Sequence, residues 1–219
     1  MGKMTLQQIL MQLAGGMGTS IQIFAVTLIF SLPLGLFVAL GRMSKSKLLQ
    51  MIIKVYISVM RGTPLMLQLL VVYFGPYYMF GMRVSNSYRL WAVFIGFVIN
   101  YAAYFAEIFR GGMDSMEKGQ YEASAALGLS KSQTFFRIIL PQVIKRVIPS
   151  TANEVITLVK DTSLARIIAA YELTFAGAAF MKSDGLTWPL FYTGVFYLIF
   201  IGILTLLFNY IERKLDYFK

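Results

Sequence analysis

The chain has 219 residues, of which 58% are hydrophobic and only 14% charged, with a mean hydropathy of +0.67. This composition is too apolar for an ordinary soluble domain, so a lipid bilayer is the expected solvent. The net charge of +10 suits an anionic lipid surface, and the long apolar runs argue against nucleic acid as a partner. Cys and His are both absent from the sequence, so we predict neither a metal site nor a catalytic nucleophile.

Apolar stretches predict an all-α, polytopic membrane protein with five transmembrane helices in one domain, residues 1–219. Three stretches hold roughly 20 residues without Lys or Arg, enough to cross a hydrocarbon layer of ~30 Å. The second span contains Lys54 and Arg61, so its early turns are expected at the interface or against protein. The fourth is interrupted by charged residues and Pro149, and is expected to be a buried helix. In chain order the predicted spans are residues 20–41, 49–73, 90–109, 143–159 and 189–210.

Lys and Arg residues gather on one side of this five-span arrangement, which we predict to be cytoplasmic. That side receives Arg42, Lys45, Lys47, Lys118, Lys131, Arg137, Arg213, Lys214 and Lys219. The opposite side receives the fewer and more scattered Lys3, Arg83, Arg89, Arg166 and Lys182. The N-terminus is therefore expected outside the cell and the C-terminus inside. Residues 4–13 are interpreted as an amphipathic helix on the outer face.

The cytoplasmic loop between spans three and four, residues 111–145, is too long for a simple turn, and loops of this length usually have a function. Its Ala-rich stretch, residues 121–127, predicts a short helix that ends at Gly128. Ser130 is expected to cap a second short helix. Two short helices joined at a glycine would form a stiff protrusion, with small side chains outward, that fits a groove on another protein.

The loop also carries a motif with fixed spacing. Glu122 and Ala123 are followed by Gly128, then Ile138, then Leu140 and Pro141. This pattern resembles the EAA loop of bacterial ATP-binding-cassette (ABC) import permeases, with Ser124 where that pattern prefers Ala. Residues 61–64 with Gln68, and residues 107–112 with Gly119 and Gln120, resemble the polar amino acid branch of that family.

The resemblance implies a type I importer permease fold (MetI-like) in the bacterial inner membrane, with no catalysis of its own. It further implies a coupling helix that docks on a cytosolic ABC ATPase dimer, a second permease subunit, identical or related, and an extracytoplasmic solute-binding protein. The sequence has no phosphate-binding G-x-x-x-x-G-K-[ST] loop, so ATP and Mg²⁺ are expected on the partner ATPase and no cofactor on this chain. The implied docking positions are Glu122, Ala123, Ser124 and Gly128.

Polar residues inside the predicted spans mark a candidate substrate site. A carboxylate at the centre of a span costs roughly 2.5 to 3.5 kcal/mol, so such groups are expected to face a cavity or a partner. Acids would bind the ammonium group of an amino acid and would favour a basic side chain, as in arginine, lysine or histidine. The candidates on shared helix faces are Asn100, Tyr104 and Glu107 in span three, and Glu154, Thr157 and Asp161 with Asn153 in segment four. The candidate donors for the substrate carboxylate are Gln68, Thr162 and Ser163.

Alternatives remain open at this stage. Glu107 could pair with Arg110 one turn away, and Asp161 could form an interfacial pair with Lys160. Two other function classes are a stand-alone solute or ion channel and an intramembrane enzyme with Glu154 and Asp161 as a carboxylate pair. The enzyme is disfavoured because seven residues on one helix separate the two carboxylates by ~10 Å.

Overall fold

The computed structural model describes residues 5–82 and 85–215, and every regular element in those ranges is helical. The elements are α1 (Leu6–Arg42), α2 (Lys47–Gly62), α3 (Leu65–Phe80), α4 (Asn86–Asp114), α5 (Lys118–Ala126), α6 (Lys131–Thr134), a π-helical segment (Phe135–Ile139), α7 (Leu140–Asp161), a 3₁₀ segment (Thr162–Ile168), α8 (Leu173–Asp184) and α9 (Trp188–Leu215).

Within the described ranges, α1, α4 and α9 are each long and apolar enough to cross a membrane alone. Two further crossings are possible if bent helix pairs count as single spans: α2 with α3, and the segment Lys131–Ile168 with α8. This arrangement agrees with the polytopic all-α prediction. The first, third and fifth predicted spans fall inside α1, α4 and α9.

The second predicted span, residues 49–73, is wrong as a single helix. The chain breaks at Thr63 and Pro64, and α2 and α3 lie at 109° to each other. Proline lacks a backbone N–H and disfavours a helical conformation in the residue before it. Thr63 accordingly has extended dihedrals of φ −122° and ψ 147°. The predicted span continued across this break because the residues on both sides of the break are hydrophobic.

The N-terminal prediction is also wrong. Residues 6–13 form the beginning of the 37-residue helix α1 rather than a separate helix on the outer surface. Ile9 and Leu13 are buried, and they pack against Leu173 and Ala176 of α8. Helix α8 was not predicted and lies in what was interpreted as an outer loop. Lys3, Met4, Arg83 and Lys219 lie outside the described residues.

The core forms where α4 packs between α1, α3 and α7. Phe97, Tyr101 and Phe105 recur every four residues along α4 and are almost completely buried. They meet Leu69 from α3 and Leu158 from α7 in one cluster. By contrast, only 6% of the most apolar 18-residue stretch of α9 is buried. Leu198 and Leu206 of this helix are each 72% exposed. An apolar helix with its side chains turned outward is suited to contact lipid or a neighbouring subunit.

Helices α1 and α4 approach each other closely at Gly35. A Cβ atom added there would lie 2.8 Å from the Cβ of Phe105 and 3.1 Å from the carbonyl oxygen of Ala102. Small residues at helix crossings let backbones approach and gain dispersion contacts, which drive helix association in lipid. Gly35 therefore sets the spacing between α1 and the helix that carries most of the core.

Two side-chain amides hydrogen-bond to the backbone at the break between α2 and α3. The Gln68 amide donates to the carbonyl oxygens of Met60 (2.9 Å) and Thr63 (3.1 Å) and to the Thr63 hydroxyl (2.8 Å). Asn100 on α4 donates to the Met60 carbonyl (3.1 Å) and to the Gln68 side-chain oxygen (3.0 Å). These bonds satisfy backbone carbonyls that a continuous helix would have paired. The amide of Gln68 is used within the protein, and its role as a donor to substrate stays a prediction.

Replacing Gly35 with Ala should lower the thermal midpoint of the purified protein, because the new methyl group meets backbone and Cβ atoms that cannot rotate away. Overpacking of this kind costs about 1 to 3 kcal/mol. Gly18→Ala is the matched control, since nothing lies within 4 Å of a Cβ atom there. The control should be neutral or slightly stabilising, because Ala is the better helix former. Equal midpoints for the two variants would contradict the close crossing.

Replacing Asn100 with Asp should destabilise the α2–α3 break, because the new carboxylate cannot donate to Met60 or Gln68. Loss of donors to buried acceptors costs about 1 to 3 kcal/mol. The measurement is thermal unfolding together with the rate of limited proteolysis at the break. Asn153→Asp, at an exposed position on α7, is the control and should leave both unchanged. Equal behaviour of the two variants would show that the amide network does not hold the break.

Candidate functional site

A cavity of about 400 Å³ opens beside the α2–α3 break, between α4 and α7. Helix α7 contributes Glu154, Thr157 and Asp161, whose spacing of three and four residues places them on one face. This is the arrangement that the sequence predicted for segment four. The full lining comprises Arg61, Gly62, Thr63, Pro64, Leu65, Asn100, Tyr101, Tyr104, Glu154, Thr157, Asp161 and Leu164.

Asp161 is fixed by a tyrosine from the core. The Tyr101 hydroxyl donates to Asp161 Oδ2 at 2.7 Å, and the Tyr101 side chain is only 1% exposed. Its ring stacks on Phe97 with centroids 6.3 Å apart, which holds the hydroxyl in place. Asp161 therefore lines the cavity and is hydrogen-bonded to Tyr101. In the part of the chain that the structure describes, no ion pair joins Asp161 to Lys160, so the alternative pairing is not formed.

Arg61 supplies the positive charge of the cavity. It is the second-last residue of α2, and the turn at Thr63 and Pro64 brings it into the cavity lining. Its guanidinium carbon lies 5.3 Å from the centre of the Tyr104 ring, a cation–π contact that helps to orient it. The cavity therefore contains two carboxylates and one guanidinium. That set complements a zwitterion with an additional positive charge.

Glu107 forms the ion pair with Arg110 that was one of its two predicted roles. Its carboxylate pairs with Arg110 through two hydrogen bonds, of 2.8 and 3.1 Å, and with Arg61 at 3.7 Å. Glu107 lines a second pocket with Arg110 and is not among the residues lining the acidic cavity. Glu107 thus forms the pair with Arg110, and its contact with substrate stays a prediction. It balances the charge of Arg61 from the side away from the cavity.

Three further predicted contacts do not line the acidic cavity. Asn153 is exposed on a different face of α7. Thr162 is 1% exposed, and its hydroxyl donates to the Val159 carbonyl at 2.8 Å. Ser163 is half-buried in the 3₁₀ segment. A 3₁₀ segment has three residues per turn, so Leu164 stays on the cavity side with Asp161, whereas Thr162 and Ser163 do not.

Sequence reasoning missed Arg61 and Tyr101 as site residues. Arg61 begins the stretch of residues 61–64, one of those that carry the family resemblance. A charged residue inside an apolar span often has a function, and this pattern could have identified Arg61 as a site residue. Tyr101 lies in the buried stripe with Phe97 and Phe105, and no role was predicted for it. A buried Tyr usually has a hydroxyl partner, which was the missed clue.

The predicted loop is present as a helix, a glycine turn and a second helix start. Helix α5 ends at Ala126, and Gly128 follows with φ +73°, a conformation that favours glycine. Ser130 and Gln133 cap each other's backbone N–H groups, at 3.2 and 2.9 Å. Both capping predictions are confirmed. The second helix is not a separate short element, however, because α6 runs through the π-helical segment into α7.

The loop exposes most of its predicted docking positions. Glu122, Ala123 and Gly128 are exposed, and Leu127 beside them is 78% exposed. Ser124 is only 2% exposed and donates to the Gln120 carbonyl at 2.6 Å. The expectation that Ser124 faces outward is therefore wrong, and its smallness serves packing within the chain.

Comparison with known proteins gives a consistent result. Residues 31–217 match the family described as binding-protein-dependent transport system inner membrane component. The arginine transport system permease protein ArtQ of Bacillus subtilis (strain 168) is 35% identical over 207 residues, covering 91% of this chain and 90% of that protein. The L-cystine transport system permease protein TcyB of the same organism is 37% identical over 207 residues, covering 93% and 86%.

Among solved structures, an amino acid ABC transporter crystallised with histidines superposes with a TM-score of 0.86 at 28% identity, covering 98% of this chain and all of that one. The stand-alone channel receives no support from any of these matches. The family match covers most of the chain, and the relatives are matched over nearly their whole length. The chain therefore belongs to the family of binding-protein-dependent transport system inner membrane components.

Proposed function

We propose that this chain is the permease subunit of an amino-acid ABC importer and that its acidic cavity binds a basic amino acid during transport. The observation that carries the proposal is the convergence of Glu154, Thr157 and Asp161 with Arg61 on one cavity. Its relatives are named for arginine and cystine transport, and the similar solved structure for an amino acid transporter with histidines, which supports an amino acid as the transported class.

The charges of the cavity match those of such a substrate. A free amino acid has an ammonium group that needs acceptors and a carboxylate that needs donors. Glu154 and Asp161 supply the acceptors, and Arg61 is the donor in the lining that matches a carboxylate through its planar fork. A second positive charge on the substrate would pair with the remaining acid. A polar neutral amino acid would leave the negative charge of one of the two acids without a counter-charge from the substrate.

The energy for transport would come from a separate subunit. We infer that Glu122, Ala123 and Gly128 contact a cytosolic ABC ATPase dimer, since the loop is exposed and leads directly into α7. Two permease subunits side by side would enclose the pathway, with an extracytoplasmic solute-binding protein delivering substrate. This assembly requires the N-terminus outside the cell and the C-terminus in the cytoplasm, the orientation that the Lys and Arg distribution favours.

Replacing Glu154 with Gln should raise the arginine concentration that half-saturates uptake by about tenfold or more, because a charge-assisted hydrogen bond is lost. Asp161→Asn should act in the same direction, since Asn still accepts the Tyr101 hydroxyl but has no charge. Uptake of arginine and of glutamine into proteoliposomes would be compared. The loss should be larger for arginine.

Glu212→Gln on α9 is the matched control, since it removes one carboxylate outside the acidic cavity. It should leave uptake unchanged. Normal arginine uptake by the Glu154→Gln and Asp161→Asn variants would contradict the proposed site.

Replacing Glu122 with Arg should reduce co-purification of the ATPase subunit with this chain several-fold, because the substitution reverses the charge of an exposed side chain at the proposed contact. The comparison is Glu212→Arg, which makes the same charge change outside the loop. The amount of ATPase subunit recovered per permease is the measurement. Full recovery with Glu122→Arg, together with normal ATP-driven uptake, would rule out this position as a contact.

A further inference from the structure

A second pocket, of about 220 Å³, lies between the end of α1, helix α2 and the end of α4. Four cationic side chains line it, against one carboxylate, that of Glu107. The cations are Arg42, Lys54, Arg61 and Arg110. Glu107 is already shared between Arg110 and Arg61, and Arg110 also pairs with Asp114 at 2.6 Å. In the part of the chain that the structure describes, neither Arg42 nor Lys54 has a carboxylate within 4.0 Å.

An apolar groove adjoins this basic pocket. It is lined by Val55, Val59, Gly62 and Thr63, together with Lys54 and Ser58, and it measures about 570 Å³. Lys54 and Ser58 line both the pocket and the groove. The two features therefore form one continuous surface, with positive charge at one end and valine side chains at the other.

The pocket belongs to the side of the predicted span arrangement that is rich in Lys and Arg. Arg42 is the last residue of α1, and Arg110 lies four residues before the end of α4, so the pocket is near the ends of two spanning helices on that side. The positive-inside rule assigns this side to the cytoplasmic leaflet, which contains the anionic lipids. Basic pockets between helices at this depth are suited to lipid headgroups.

We propose that this surface binds an anionic phospholipid of the cytoplasmic leaflet, with the phosphate between Arg42 and Lys54 and an acyl chain along Val55 and Val59. The positive charge of the pocket favours an anion as the ligand. The adjoining apolar groove favours an anion with an apolar tail over free phosphate. Serine hydroxyls also hydrogen-bond phosphate oxygens, and Ser58 lies at the junction. The proposal depends on membrane placement and not on the amino-acid substrate.

The test is native mass spectrometry of the full-length chain, equilibrated with phosphatidylglycerol or with phosphatidylcholine of the same acyl chains. Wild type should retain phosphatidylglycerol preferentially. The Arg42→Gln/Lys54→Gln double variant should lose about tenfold or more of that retention, since each cation near anionic lipid contributes appreciably. Lys45→Gln/Lys47→Gln removes the same charge at exposed positions near the pocket but outside its lining, and should retain the lipid.

Two further probes separate the sources of the phosphate. Glycerophosphoglycerol, which has the headgroup without acyl chains, and inorganic phosphate should each bind at least tenfold more weakly than the lipid. Binding of inorganic phosphate as tight as that of the lipid would overturn the lipid assignment. Equal loss of phosphatidylglycerol in the two double variants would show diffuse attraction to surface charge rather than a site, and would also overturn the proposal. Unchanged thermal midpoints confirm that both variants are folded.

Discussion

The hydrocarbon layer offers no hydrogen-bond partners, and this constraint governs the placement of the polar groups at the α2–α3 break and in the acidic cavity. A break in a helix at membrane depth is tolerated only where protein or enclosed water satisfies the freed backbone. Gln68 and Asn100 do this at the Thr63–Pro64 break, where they donate to the carbonyls of Met60 and Thr63. The same requirement keeps Glu154 and Asp161 turned toward a cavity and away from lipid.

The break also determines the chemistry of the cavity. A straight helix through residues 49–73 would carry Arg61 along one unbroken axis, whereas the 109° turn brings it opposite the acids of α7. Arg61 contacts the Tyr104 ring and the Glu107 carboxylate, so it belongs at once to the acidic cavity and to the basic pocket. The two sites have opposite charge and share this one side chain. Their ligand preferences are therefore electrostatically linked.

Local periodicity predicted the fold class, three of the spans and the shared face of Glu154, Thr157 and Asp161, because spacing along one helix is a property of sequence. It did not predict the contributions of Arg61 and Tyr101, which depend on how α2 and α4 pack against α7. It also missed α8 and the break at Pro64, because a hydropathy window averages over a proline and is longer than the 12 residues of α8. The bonds of Gln68 across the α2–α3 break and to Asn100 depend on tertiary structure, whereas the Glu107–Arg110 pair is local and was one of the sequence-based alternatives.

The continuity of α6, the π-helical segment and α7 has a mechanical consequence. From Lys131 to Glu154 the backbone is helical without a loop, a length of ~34 Å at the usual rise per residue. A displacement applied beside α5 would therefore reach the acids along one continuous helical backbone. The five-residue π turn, Phe135–Ile139, is the one stretch of this backbone with a wider winding. Rewinding it by one residue would rotate the distal end by roughly a quarter turn, which is enough to aim a carboxylate in a new direction.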